Sequence, residues 1–333
     1  MKLCMIGLRG HYGYVLQGLP LVPQVQVVGV SAGIPDDKPE PLLKQCSELG
    51  HHPRAFDDYR QMLDTMGPEL LVVSGPLHLH ASICIDAFQR GIHVFCEKPV
   101  ALTLEELAAV EEALAMSGVH LAAMMGLRYA ADFYTAWRAV RQGAVGQIRL
   151  IHSQKSYRLG DRPEYYRRRA TYGGTIPWVG SHAIDWIHWF SGAEFTSVYA
   201  SHSTACNRGN GDLEMSALCQ FTLTGDVFAT ASIDYLRPAA ASTHGDDRVR
   251  VAGTEGVIEV RGGQVLLTNA EGEQALAADC PRQIFADFLG HVLGKGEALI
   301  SSQDTLAVTR ACLLARESAD QAMPLSFGHN PPG

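Results

Sequence analysis

The amino-acid sequence predicts an α/β chain in two parts: an N-terminal doubly wound parallel sheet, then an α+β domain with a large, mainly antiparallel sheet. Three observations carry this. Over the first 125 residues, short apolar runs alternate with helical stretches. Three glycines, Gly7, Gly10 and Gly13, directly follow the first run. After residue 145 the runs lengthen and look like antiparallel strands.

Size and composition set the outer limits. A chain of 333 residues exceeds a typical single core. Two domains are expected, over 1–125 and 126–325, with the C-terminal helix able to pack back on the first. The chain is 47% apolar and 19% charged, as in ordinary globular proteins. Its net charge of −8 and the lack of a Lys/Arg run long enough for one argue against a nucleic-acid surface. No stretch of 18 apolar residues is present, so no membrane span is expected. Gly7, Arg9 and His11 interrupt the opening stretch before a signal-peptide core can form. The eight cysteines are scattered without a C-x-x-C pair. They are expected as reduced thiols in a cytoplasmic protein.

The first domain is predicted element by element. KLCMIG (2–7), VQVVGVSA (25–32), ELLVVSG (69–75), IHVFCE (92–97) and VHLAAMMG (119–126) suit strands buried on both faces. Between them, LHASICIDAFQRG (79–91) ends at a C′ glycine, Gly91. TLEELAAVEEALAMSG (103–118) starts with Thr103 and Glu106 at capping-box spacing and closes at Gly118. In the second domain, 146–158, 196–206, 214–236 and 248–269 read as antiparallel strands, with a two-residue hairpin at Gly225-Asp226. Helices are expected near 281–293 and 302–322, and GHNPPG at the end as a loose tail.

The glycines give the first domain a chemistry. A Rossmann-like fold places glycines between its first strand and helix so that the backbone can approach a pyrophosphate. Here the spacing is G-x-x-G-x-x-G, with Arg9 where the second glycine usually stands. Arg9 and His11 are candidate phosphate donors, or simply solvated. The second strand ends at Ser31-Ala32-Gly33, without the acid that would hold a ribose diol. Asp36, Asp37 and Lys38 follow in a loop, and the choice between NAD and NADP stays open.

The run HVFCEKPVAL (93–102) raises a separate question. Proline should stop the strand, so Glu97 and Lys98 stand at a strand end, the edge where doubly wound sheets bind ligands. A strand-end salt bridge is the plainer alternative. Residues 76–102, with Pro76, His80, Glu97, Lys98 and Pro99, resemble the glucose–fructose oxidoreductase and inositol dehydrogenase family. That family carries P-N-x-x-H and then E-K-P; here Leu77 replaces the asparagine. GLRYAADFYTAWRAVRQGAVGQIRLI (126–151), GGTIPWVGSHAIDWIHWFSG (173–192) and AGTEGVIEV (252–260) extend the resemblance over nearly the whole chain. It implies a nicotinamide cofactor near Lys98, with Lys98 serving the reacting hydroxyl and Glu97 orienting the lysine or the cofactor. It also implies that Pro76 and His80 lie near the cofactor and that Pro99 fixes the turn, where a cis peptide costs little. Arg128, in the crossover segment, is expected on the substrate side.

The chain departs from its relatives at one place. The family's D-x-G-x-H reads Trp178-Val179-Gly180-Ser181-His182 here. His182 is kept as the candidate proton carrier, and Trp178, which cannot ionise, shapes the substrate pocket. Asp185, three residues on, shares a helix face with His182. It either serves the imidazole or the substrate, or acts as a structural acid. His188 completes H-x-x-D-x-x-H, but these side chains spread around the helix, so no metal is expected.

The stretch YRLGDRPEYYRRRATY (157–172) holds five arginines and four tyrosines. Tyr157 and Arg158 are expected at the substrate, and the guanidinium forks suit an anionic sugar-like compound. A solvated loop or a subunit contact is the plainer alternative. The resulting expectation is an NAD(P)-dependent oxidoreductase of a sugar, polyol or related hydroxy compound, assembled as a homo-dimer or homo-tetramer. A ligand sensor without turnover and an NAD-assisted glycoside hydrolase are the alternatives.

Overall fold

The computed structural model describes residues 1–32 and 38–328. Gly33, Asp36, Asp37 and all but the first residue of GHNPPG lie outside the described residues. The chain forms two compact units. The first is Met1–Gly126 with Arg282–Thr309; the second is Leu127–Pro281 with the residues from Arg310 onward.

In the first unit, six parallel strands form one sheet. They are β1 (Lys2–Ile6), β2 (Gln26–Ser31), β3 (Arg54–Phe56), β4 (Leu70–Val73), β5 (His93–Cys96) and β6 (Leu121–Ala123). Their order is β3-β2-β1-β4-β5-β6, the doubly wound arrangement. The four residues of β4 are all buried, which is why its sequence shows no alternation. Helix Leu104–Ser117 starts as its sequence foretells: Thr103 Oγ1 accepts from the Glu106 N–H at 3.1 Å, and Gly118 closes it with φ +66°. The returning segment completes the unit. Phe285 and Phe288 pack on Phe95 at 5.8 and 5.4 Å between ring centres. Edge strand β6 is covered: its Leu121 and Ala123 N–H groups donate to Ser302 Oγ and Thr305 Oγ1 at 2.9 and 3.0 Å.

In the second unit, nine strands form a mainly antiparallel sheet. They are β7 (Ile148–Tyr157), β8 (Phe195–Ser203), β9 (Ser216–Leu223), β10 (Val227–Asp234), β11 (Gly245–Gly253), β12 (Gly256–Arg261), β13 (Gln264–Asn269), β14 (Gly272–Leu276) and β15 (Leu325–Ser326). The order is β14-β13-β12-β11-β7-β10-β9-β8-β15, with β7 and β10 the one parallel pair in this sheet among the described residues. Helix Gly180–Ser191 lies on the inner face, so close that a Cβ on Gly180 would stand 2.4 Å from Ile233 Cδ1 of β10. On the outer face Leu150, Tyr199, Leu218 and Phe228 are 41–56% exposed.

The β9–β10 turn corrects the expected two-residue hairpin. Leu223 pairs with Val227, leaving Thr224, Gly225 and Asp226 as a three-residue connection. Gly225 and Asp226 are both left-handed, at φ +75° and +57°. Thr224 leaves the ladder because its N–H donates to Glu194 O at 2.9 Å, while its Oγ1 accepts from the Glu194 N–H at 3.2 Å.

Candidate active site

The glycine loop of the first unit is locked to the strand ends around it. Gly7 has φ +79° and donates to Ser31 O at 2.8 Å. A Cβ there would lie 2.4 Å from Gly75 Cα, so only glycine fits. Arg9 N–H donates to Ser74 O at 2.7 Å, and Ser74 Oγ donates back to Arg9 O at 2.6 Å. Gly10, at φ +71°, is glycine for another reason: a Cβ would meet the Glu97 carboxylate at 2.1 Å. Gly13 opens helix Gly13–Gly18 and has no atom within 4 Å of where a Cβ would lie.

Glu97 answers why an acid ends β5. It is completely buried. Its Oε2 accepts the His11 N–H at 2.5 Å and lies 2.8 Å from His11 Nδ1; its Oε1 accepts the Lys98 N–H at 2.9 Å. Burial alone would raise this carboxyl. The charge and hydrogen bonds of His11, followed by the Lys98 charge, outweigh it and hold Glu97 below the usual carboxylate range. The acid therefore couples the glycine loop to the lysine turn. Lys98 is only 2% exposed, and the Lys98–Pro99 peptide is cis. Tyr14 stacks on His11 at 5.4 Å, and burial followed by the Glu97 charge pushes its phenol up to about 12.

His80 is fully buried, at the start of helix His80–Phe88. Its Nδ1 lies 2.9 Å from Pro99 O and its Nε2 3.1 Å from Gly75 O. It thereby ties the turn after β4, which contains Pro76, to the turn after β5. Burial lowers its pKa, against the pull of Pro99 O, the Glu97 charge and Gly75 O. His78, by contrast, is exposed.

In the second unit, the expected residues gather around helix Gly180–Ser191. His182 is 2% exposed. Asp185 and Arg128, both 1% exposed, face each other as a buried ion pair. Arg128 Nε donates to Asp185 Oδ1 and Oδ2 at 3.0 and 3.1 Å, and Nη2 to Oδ1 at 2.6 Å. Both carboxylate oxygens of Asp185 are thus engaged by arginine, and the His188 ring stacks near Phe195 at 6.0 Å. Among the described residues, no three His, Cys, Asp or Glu side chains gather as a metal-holding group.

Trp178 is 8% exposed and sits 5.9 Å from Tyr166. The aromatic contacts continue from Tyr166 to Tyr172 at 4.9 Å, and Tyr172 Oη lies 2.9 Å from Tyr235 Oη. Of the arginine- and tyrosine-rich stretch, Tyr166 and Tyr172 are core, and Arg169 is paired with Glu214 and Asp320 at 2.5 and 3.0 Å. Tyr157 lies between Tyr235 and His244, at 6.5 and 4.8 Å. Sequence reasoning missed Lys155, whose Nζ is 2.5 Å from Asp247 Oδ2, 4.8 Å from the Tyr157 ring and 5.7 Å from that of Trp186. Burial lowers its pKa, against the pull of Asp247. The signal was there: Lys155 falls in the inward register of β7, with Ile151 and Ser153.

Residues 1–125 match the family model described as an oxidoreductase family with an NAD-binding Rossmann fold. Residues 133–259 match the GFO/IDH/MocA C-terminal domain. A Thermotoga maritima protein described as an oxidoreductase has a solved structure with TM-score 0.94 and 43% identity, covering 98% of this chain and 100% of that one. The myo-inositol 2-dehydrogenase of Thermotoga maritima is 24% identical over 82% of this chain and 80% of its own length. Levoglucosan dehydrogenase, solved in complex with NADH and levoglucosan, shares the fold at TM-score 0.83 and 19% identity, over 98% of this chain and 99% of that one.

Proposed function

We infer that this chain, which belongs to the Gfo/Idh/MocA family of NAD-binding oxidoreductases, is a dehydrogenase of a sugar, polyol or related hydroxy compound, with NAD as its cofactor. One observation carries the reading. The glycine loop and Lys98 are built as one unit, with Glu97 accepting the N–H groups of both His11 and Lys98. The residues fit a dinucleotide: the left-handed glycines bring backbone close to the strand ends, and the space over Gly13 is open.

Gly7, Gly10 and Gly13 would hold the pyrophosphate, with Arg9 and His11 beside it, and Ser31 and Pro76 would border the adenosine and nicotinamide ends. When bound, the nicotinamide supplies the site that accepts or gives the hydride. Lys98 would donate a hydrogen bond to the reacting hydroxyl, and His182 is the second candidate proton carrier. Glu97 and His80 are positioning residues, acting through the backbone of the lysine turn. Trp178 and Tyr157 wall the substrate and exclude water. Arg128 and Asp185 fix the helix that bears His182. The dinucleotide at 100 times its dissociation constant should stabilise the fold by about 2.7 kcal/mol. Thermal melts with NAD, NADH, NADP and NADPH test this. A shift with the NAD pair is expected, and no shift with any of the four at millimolar concentration would overturn the reading.

The protein is further proposed to be a homo-oligomer through the open face of the nine-stranded sheet. Leu150, Tyr199, Leu218 and Phe228 make that face apolar where a monomer would carry polar residues. Sedimentation velocity should show a dimer or larger species, and Leu218→Glu with Phe228→Glu should shift it to monomer. A wild-type chain that sediments as a monomer at micromolar concentration would end this proposal.

A further inference from the structure

In the second unit, the parallel strands β7 and β10 end side by side, with Ser156 opposite Asp234. The chain beyond each bends around a cavity of about 190 Å³. Its lining includes Arg158, Arg208, Arg237, Cys206, Met215 and Tyr235, and no aspartate or glutamate.

The arginines are held, not merely present. Arg158 Nε and Arg237 Nε both donate to the same carbonyl oxygen, that of Thr243, at 3.1 and 2.9 Å. Two like-charged guanidiniums are thus fixed side by side, which repulsion alone would oppose. Arg237 is further fixed by Thr243 Oγ1 at 2.7 Å and is partly balanced by Asp246 Oδ2 at 3.4 Å. Among the described residues, no carboxylate comes within ion-pair reach of Arg158 or Arg208, so the cavity keeps uncompensated positive charge.

The third arginine is presented by a constrained loop. Cys206 and Arg208 are left-handed without being glycine, at φ +63° and +54°. Such conformations persist only where the surroundings over-determine them. Here Asn207 does so: its Nδ2 donates to Gly211 O and Leu213 O at 2.8 and 3.2 Å, and its Oδ1 accepts from the Gly209 N–H at 3.2 Å. The loop is stiffened at the residue between the two that line the cavity.

We propose that this cavity is an anion site, taking a carboxylate or phosphate group between Arg158 and Arg208, with Arg237 behind them. Guanidinium forks match the planar oxygens of such groups, and the anion relieves the repulsion across Thr243. The group belongs either to a sugar ligand or to a free anion. No dinucleotide or turnover is needed for this site, so it stands apart from the dehydrogenase reading.

The test is calorimetric titration of inorganic phosphate into the full chain, with chloride at equal ionic strength as control. Saturable phosphate binding is expected. Arg208→Gln, whose exposed side chain makes no hydrogen bond or ion pair among the described residues, should keep the wild-type melting curve. It should weaken binding roughly tenfold or more, the loss of one charge-assisted contact. Arg149→Gln, at the opposite end of β7, should bind as wild type. Glucose 6-phosphate separates the sources: tighter binding than phosphate that depends on Arg208 marks a sugar ligand, and equal or weaker binding marks a free anion. Either result upholds the site. No saturable phosphate binding beyond the chloride control, or phosphate binding that Arg208→Gln together with Arg158→Gln leaves unchanged, overturns it.

Discussion

Lys98→Met is expected to lower turnover by roughly 10²–10⁴ and to leave the fold in place. Methionine keeps the length of the chain and removes its charge and donors. The Lys98 N–H still reaches Glu97 Oε1, because that bond uses the backbone. Glu97 also keeps its two contacts to His11, so its buried charge remains compensated. The loss should therefore fall on kcat rather than on stability. Steady-state kinetics with a polyol substrate, alongside a thermal melt, separate the outcomes. A variant that unfolds points to a structural ion pair, and a folded variant with full turnover removes Lys98 from the chemistry. His182→Asn is the companion measurement. Wild-type turnover across the pH range would make His182 structural.

Arg128→Met should cost roughly 3–5 kcal/mol, the penalty of stranding a buried charge. Asp185 is 1% exposed and loses its three contacts from the guanidinium at once. Arg128 also meets the same helix at Trp189, whose ring lies 5.5 Å from the guanidinium. Removing both charges, as Arg128→Met with Asp185→Leu, should recover most of the loss, since an apolar pair of similar volume needs no counter-charge. Urea unfolding of the single and double variants reads this directly. A single variant within about 1 kcal/mol of wild type would mean that Asp185 finds water or another partner.

What the sequence disclosed depended on how local the cause was. The apolar runs of β1, β2, β4, β5 and β6 were legible because burial on both faces leaves no alternation to misread. β3 was not, since Arg54-Ala55-Phe56 buries one residue of three. Thr103 and Glu106 act within one helical turn, and their cap was legible too. The work of Glu97 was not, because its partner His11 lies 86 residues earlier in the chain. The Arg128–Asp185 pair spans 57 residues, so neither side chain announced the other. The β9–β10 turn was misjudged for a related reason: Gly225-Asp226 reads locally as a two-residue hairpin, but Glu194 draws Thr224 aside. Resemblance placed His80 near a cofactor, and only the fold brings it to the carbonyls of Pro99 and Gly75.

The composition of the first unit bears on how the chain is made. Phe285, Phe288, Ser302 and Thr305 complete that unit, yet the ribosome adds them after the whole of the nine-stranded sheet except β15. The part that leaves the exit tunnel first is finished late. Throughout most of synthesis Phe95 lacks its aromatic cover, and β6 offers Leu121 and Ala123 N–H groups to any passing strand. A nascent chain of this design invites chaperone binding at β5 and β6. A product truncated at Gly126 carries the complete glycine loop but an open edge, and would be the fragment that aggregates.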